Sequence, residues 1–481
     1  MNTRRKDPTL ELLRRHESRN ITLVQPEEGW PIVWKKARGC RVWDESGNTY
    51  LDLTAAFGVA AAGHANAAVV RAGRRQMGEL LHAMGDVHPH ALKARLAREL
   101  SRLTFERWTR ADKGSGTVET GKVIFGCSGF EAVEAALKTA RLATGKPGVI
   151  AFRGGYHGVG YGALNATERG HFRDPFRDQL REFGRFVAFP EAADSEASGA
   201  GDTGAGEAPE TELIRSLDAV LGASPGGIGD VIVEPMQARG GIRIPPPWFL
   251  PCLRRWADRH GALLILDEIY TGFGRTGAWF ACEHSGVVPD LVCLGKALTG
   301  GFPLSACVGR ARVMDAWPPA MGEAIHTSTY LGHPVGCAMA LAQIAELRRL
   351  DLPRRAARMG RVLEAGLNAL RERFPDRVSR VSVAGLMGGI AWRRPDGCPD
   401  TELSVGLMQE ALRQRLVLLP EGEASEVTGI TPPLTITEAQ LRQAFRGITR
   451  AVEIRLRRPA PGLSLLKPRK PNPPRPPRSR P

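Results

Sequence analysis

The sequence predicts an α/β protein: a large domain with a mainly parallel sheet flanked by helices, plus a smaller α/β domain. Three observations carry this. Short apolar, strand-like runs alternate with helical patterns between residues 122 and 350. The run 262–266 (ALLIL) is apolar throughout, as expected of a strand covered on both faces. The chain has 481 residues, enough for two domains.

The elements follow in order. Residues 122–125 form a short β run, and after the 126–129 turn a helical pattern covers 130–142. Strands are expected at 149–152, 231–233, 262–266, 291–294 and 305–308, and helices at 248–260 and 334–350. Residues 351–457 alternate helices and short strands, which reads as the smaller unit. Three stretches read as loops or tails without a catalytic role: 109–121, the acidic Ala/Gly-rich insertion 191–212, and the Pro/Arg/Lys tail 459–481.

Composition narrows the function classes. Apolar residues make up 42% and charged residues 24%, ordinary for a soluble globular chain. No apolar run approaches the roughly 20 residues of a membrane span. The basic N-terminus leads into no apolar segment, so no secretory signal is expected. Net charge is +15, but six of those positive charges lie in residues 467–481, leaving about nine for the rest. No helix-turn-helix, RNP-like or zinc-finger pattern accompanies them, so specific nucleic-acid binding is not expected. The eight cysteines form no CxxC pair, and several sit in apolar runs. They read as reduced, buried thiols of a cytoplasmic protein, with no metal site.

In parallel sheets, ligands bind at the carboxyl ends of the strands, and polar residues stand at four such ends: Ser128 and Gly129, Glu234, Asp267 and Glu268, and Lys296. The Gly126–Gly129 turn opens a helix whose free N–H groups and dipole suit a phosphate, although many such turns are only turns. Asp267 follows five apolar residues and needs a cation or donor. A protonated pyridine nitrogen would serve, as would a buried Arg or the next turn's amides. Lys296 has apolar or small flanks, so it is either an ordinary solvated lysine or a desolvated amine ready for imine formation. Tyr156, between glycines, could stack on a flat heterocycle or simply pack in the core.

With these residues in place, the sequence resembles the class III aminotransferases, the 4-aminobutyrate, ornithine and acetylornithine type. The matching stretches are 127–138 (CSGFEAVEAALK), 156–158 (YHG), 233–237 (VEPMQ), 264–277 (LILDEIYTGFGRTG), 289–306 (PDLVCLGKALTGGFPLSA) and 327–337 (TSTYLGHPVGC). The resemblance runs from about residue 42 to about 437. It implies an aspartate-aminotransferase-like fold and pyridoxal 5'-phosphate (PLP) as cofactor. It further implies transfer of an amino group from an amino acid or ω-amine to a 2-oxo acid, through a Lys296 aldimine and pyridoxamine phosphate. Lys296 resembles the Schiff-base lysine and proton carrier, and Asp267 the pyridinium partner. Tyr156 resembles the stacking aromatic, with Ile269 on the opposite face. The amides of Gly129 and Phe130, with the Ser128 hydroxyl, would hold the phosphate. Glu234 and Tyr270 would line the cofactor site. Thr329 resembles a threonine that reaches the partner subunit's phosphate, which implies at least a homodimer. The domains implied are 1–75 joining the small domain, 76–335 as the PLP-binding domain, 336–457 as the small domain, and a disordered tail at 458–481.

The departures bear on substrate. Many members carry an Arg three residues before the Pro-Pro near the C-terminus; here it is Gly429. Its usual Glu partner is Arg239, a second carboxylate-binding Arg is Val159, and the frequent Gln after Asp-Glu-Val is Tyr270. The exchange suggests that Arg239 grips a substrate carboxylate, or else that it pairs with a structural acid. A mutase, decarboxylase or racemase would share Lys296 and Asp267. A catalytically inactive binding protein would have little reason to keep both.

Overall fold

The computed structural model describes residues 7–23, 30–111, 118–192 and 208–457. Seven strands make the central sheet: β1 (Gly121–Gly126), β2 (Gly148–Phe152), β3 (Gly184–Val187), β4 (Ile228–Val233), β5 (Leu263–Asp267), β6 (Leu291–Leu294) and β7 (Ser305–Arg310). Their spatial order is β1-β7-β6-β5-β4-β2-β3. β7 runs antiparallel to both neighbours, and the other pairs are parallel. The sheet is therefore mainly parallel.

Both faces are covered, which is why the central strands are apolar without alternation. On one face lies the helix Gly129–Thr144, whose Ala132, Val133, Ala136 and Ala140 pack with Val149, Ile232, Ile265 and Cys293. Its alanines bring helix and sheet close together. On the other face, Phe249, Leu253 and Trp256 of the helix Phe249–His260 join Ile150, Val231, Leu264 and Leu266. Gly261, at φ +58°, ends that helix in the left-handed conformation that glycine adopts most readily.

Two four-stranded sheets lie beyond this core. The first joins Trp34–Arg38, Arg41–Asp44 and Thr49–Asp52 to Leu416–Val417, so N-terminal and C-terminal segments share one sheet. The second joins Val378–Ala384, Met387–Trp392, Val427–Ile430 and Leu419–Glu421. The helices Leu352–Arg373 and Thr401–Arg413 pack with this second sheet, and Glu438–Arg457 packs with both helices. Trp392 is fully buried there and donates its indole N–H to Thr428 Oγ1 at 2.9 Å. Arg275, 2% exposed, donates to the carbonyls of Leu386 (2.9 Å) and Pro432 (2.6 Å) and ties the loop after β5 to the C-terminal unit.

Three expectations change. Residues 109–111 are not loop, because the helix Phe105–Ala111 continues through them. Within the expected insertion, Pro209–Gly222 is a helix. Its start was visible as Pro209 at the first position and Glu210 and Glu212 in the first turn. Glu191, at the insertion's other end, is paired with Arg243 and Arg380. Residues 193–207 and the 459–481 tail lie outside the described residues. The cysteines carry no disulfide among the described residues, and six are buried, but Cys127 is half-buried and Cys398 exposed. No described helix is long and apolar enough to cross a membrane.

Candidate active site

At the carboxyl ends of β4, β5 and β6 opens a cavity of about 240 Å³. It is lined by Gly129, Phe130, Tyr156, Glu234, Arg239, Asp267, Ile269, Tyr270 and Lys296, residues singled out in the sequence, together with His157, Gly158, Val159 and Ala238. Three strand ends and the helix turn after β1 thus converge.

Asp267 ends β5 and is 4% exposed. Its Oδ2 lies 2.8 Å from His157 Nδ1, and its Oδ1 accepts the Ile269 N–H at 3.1 Å. An ionised Asp267 requires His157 to carry its proton on Nδ1. His157 Nε2 is buried without a partner. This histidine is the residue that motif reading undervalued: it stood in the Tyr-His-Gly motif, but nothing in the sequence showed that it faces Asp267. Glu268, by contrast, turns away from the cavity. Its carboxylate accepts the Ala281 and Cys282 N–H groups at 2.9 and 2.8 Å, and burial raises it to about 7. It anchors a loop.

Lys296 begins a short 3₁₀ turn just past β6, at φ +40°. A non-glycine residue held there stores about 1–3 kcal/mol of strain, typical of positions fixed by function. Its Nζ sits 4.7 Å from the centre of the Tyr270 ring. Burial of the amine pulls its pKa below the ordinary lysine value, with Asp267, Glu234 and Glu421 acting in the opposite direction. The amine is therefore desolvated rather than solvent-facing. Tyr270 is buried, and its hydroxyl lies 3.0 Å from Thr431 Oγ1 on the C-terminal wall.

The helix turn after β1 is built around Glu131. Its Oε2 accepts the N–H groups of Cys127 (2.6 Å) and Ser128 (2.7 Å) and the Ser128 hydroxyl (3.0 Å). Ser128 caps the helix Gly129–Thr144, and its hydroxyl is thereby engaged. The amides of Gly129 and Phe130 open the helix, where N–H groups have no partner within the helix itself. A Cβ at Gly129 would meet Ile269 Cδ1 at 3.1 Å, so glycine lets Ile269 close over the turn. Gly158, at φ +108°, lies where a Cβ would strike Phe130 Cβ at 2.4 Å.

Glu234 follows β4 and accepts the Tyr156 and Ala238 N–H groups, each at 3.0 Å. Burial raises its pKa, while His157 acts to lower it. The Arg239 guanidinium lies 5.4 Å from the Tyr156 ring centre. Among the described residues it forms no ion pair, and its Nε is buried without a partner. Of the charges acting on the buried Glu421 carboxylate, that of Arg239 is the largest. Thr329 is exposed and does not line the cavity.

Comparison with known proteins gives this geometry its setting. Residues 23–452 match the family described as aminotransferase class-III. An acetylornithine aminotransferase of Methanopyrus kandleri is 37% identical over 363 residues, covering 75% of this chain and 81% of its own. A putrescine aminotransferase of Pectobacterium atrosepticum is 34% identical over 420 residues, covering 86% and 81%. An amine transaminase from an uncultivated Pseudomonas species, solved in its PLP-bound internal aldimine form, superposes with a TM-score of 0.79 at 28% identity, covering 91% of this chain and 98% of that one. A transaminase from the marine bacterium Virgibacillus shares the fold with a TM-score of 0.81 at 23% identity, covering 93% and 99%. The chain belongs to the class-III aminotransferase family, and it is a PLP-dependent transaminase.

Proposed function

We propose that the cavity around Lys296 takes an amino acid or ω-amine as donor and a 2-oxo acid as acceptor, with Lys296 as the residue that carries PLP. The observation that carries this reading is a desolvated lysine amine in the same cavity as a buried Asp267–His157 pair. The residues present fit the cofactor. Asp267 offers a carboxylate to the ring nitrogen, Tyr156 and Ile269 offer flat or apolar surfaces to its two faces, and the Gly129 and Phe130 amides suit its phosphate. When bound, PLP supplies an electron sink for the electrons left at the substrate Cα once a proton departs.

This chain's residues do the rest. Lys296 Nζ moves the proton at the substrate Cα, a task suited to an amine whose pKa burial has lowered. His157 orients Asp267 through the contact at its Nδ1. Glu234 fixes the backbone of Tyr156 and Ala238 and so positions that wall. Tyr270 holds the C-terminal wall against Lys296. Thr329, exposed in this subunit, would reach the phosphate of a partner in a homodimer. The division at residues 76, 336 and 458, and a cytoplasmic location, belong to the same proposal. The names of the M. kandleri and P. atrosepticum relatives support a donor bearing an amino or ω-amino group.

The visible absorption of the PLP-loaded protein tests this reading. A donor should bleach the cofactor band, and a 2-oxo acid should restore it. A band that no amino acid or amine converts would sink the transfer chemistry assigned to this cavity.

Arg239 is assigned the acceptor's carboxylate. Alanine there should raise KM for the 2-oxo acid by about 10- to 100-fold, the worth of a charge-assisted contact. Steady-state kinetics with a fixed donor measure it, and an unchanged KM would remove Arg239 from this role.

A further inference from the structure

A second cavity lies at the far end of the helix Gly129–Thr144, away from the turn beside Lys296. Its volume is about 500 Å³, against about 240 Å³ around Lys296. Asp230 of β4 lines it. Side chains alternate along a strand, so Asp230 shares a sheet face with Ile232, which clusters with Ala136 and Ala140 of that helix. Asp230 is 2% exposed, and its Oδ1 is buried without a hydrogen-bond partner. Burial raises its pKa well above the ordinary carboxylate value. That favours the neutral carboxyl, which sets one donor and one acceptor side by side. An acid buried without a partner is costly, and an apolar side chain would fill the same place more cheaply. A ligand that bonds the carboxyl relieves the cost.

The remaining lining divides by chemistry. Leu137, Val149, Phe183 and Trp317 are apolar or aromatic, and the Trp317 indole is held by a 2.8 Å bond from its Nε1 to Thr139 Oγ1. Lys138, Arg141, Lys146 and Arg181 supply four cations, against one acid besides Asp230, Glu134. Glu134 is engaged, accepting the Ala163 N–H at 3.0 Å. Lys146 donates to the carbonyls of His260 (2.9 Å) and Gly261 (3.1 Å), and Lys138 Nζ lies 3.3 Å from His326 Nδ1. Arg141 and Arg181 are exposed, and among the described residues their guanidiniums form no ion pair or hydrogen bond. The cavity thus joins a buried carboxyl, aromatic walls and two uncommitted guanidiniums at its mouth.

We propose that this cavity binds a nucleotide whose base carries an amino group beside a ring nitrogen, with the base edge on Asp230 and the phosphate on Arg141 and Arg181. The two edges are complementary. The carboxyl O–H donates to the ring nitrogen, and its other oxygen accepts from the amino N–H. Phe183 and Trp317 offer aromatic surface to a flat ring. Guanidiniums match phosphate through paired N–H donors. A free amino acid suits the cavity less, since it brings one carboxylate for two guanidiniums and little surface for the aromatic walls. Asp230 and Glu234 stand four residues apart, about 13 Å along the strand, so the occupant sits clear of the Lys296 cavity.

Calorimetric titration of the full-length, PLP-loaded protein with AMP and with CMP tests the proposal, since both present this edge. At least one of them should bind with a Kd below about 1 mM. It should bind about tenfold more tightly than its analogue with hydrogen in place of the amino group, and about tenfold more tightly than its nucleoside, which lacks the phosphate. The visible cofactor band should not change. Asp230→Ala removes an unpaired buried acid, so it should unfold at the wild-type temperature or above while losing the preference for the amino group. Arg141→Gln combined with Arg181→Gln should lose the preference for nucleotide over nucleoside. Failure of both nucleotides to bind overturns the proposal. So does equal binding of the analogue lacking the amino group, a comparison that needs no variant. An Asp230→Ala protein that keeps the preference overturns it too, as does a shifted cofactor band, which would put the nucleotide beside Lys296.

Discussion

Lys296→Ala is expected to lower transaminase activity by at least about 10,000-fold, because the proposed function gives one residue both the amine that carries PLP and the proton transfer. The protein should still fold. Lys296 lines an open cavity, and its replacement removes a desolvated amine rather than core packing. Added PLP should bind only reversibly and be lost on gel filtration, whereas the wild type keeps its visible band. A variant that retained both band and turnover would mean that another lysine carries the cofactor.

Asp267→Asn is the second large effect. The substitution keeps the shape and removes the charge from a group that is 4% exposed and 2.8 Å from His157 Nδ1. Losing a buried hydrogen bond to a charged group costs about 1.5–3 kcal/mol. If most of that is lost in the transition state, kcat falls by about 10- to 100-fold or more. PLP affinity should fall with it if, as proposed, this carboxylate meets the ring nitrogen. Equilibrium dialysis and single-turnover rates would measure the two effects separately. A kcat within a factor of three of wild type would show that His157, not Asp267, governs this end of the cavity.

Much of this was legible in the sequence because the central sheet is buried on both faces. Burial writes itself as unbroken apolar runs such as 262–266, and the polar residue that breaks each run marks a strand end. Asp267 after Leu266, Glu234 after Val233 and Lys296 just past Leu294 were found in this way, and the structure gathers them into one cavity. The antiparallel course of β7 was not legible, since a short apolar strand reads alike in either direction. The helix Pro209–Gly222 was hidden by acidic, Gly-rich flanking residues although its start signals were present. Glu421 was invisible for a different reason. Its burial depends on a hairpin that brings it beside Gly429 and on a backbone bond from Gly422 to Arg239, and neither contact leaves a local mark in the sequence. His157 shows the intermediate case, a residue in plain view whose partner lies on another strand end.

The shared sheet formed by Thr49–Asp52 and Leu416–Val417 has a consequence for the order of synthesis. A chain leaving the ribosome N-terminus first can complete the central sheet once β7 has emerged. The strand Thr49–Asp52 must then wait with one edge open until its partner arrives, and an open edge is where chains pair wrongly. Thr431, which accepts or donates at Tyr270 and bonds through its N–H to the Leu53 carbonyl at 2.7 Å, arrives later still. The brace on Tyr270, whose ring lies beside Lys296, is therefore completed last. A nascent chain halted before residue 416 would carry every residue that the sequence assigned to PLP, apart from any partner's Thr329, yet lack the Thr431 contact that braces Tyr270 beside Lys296.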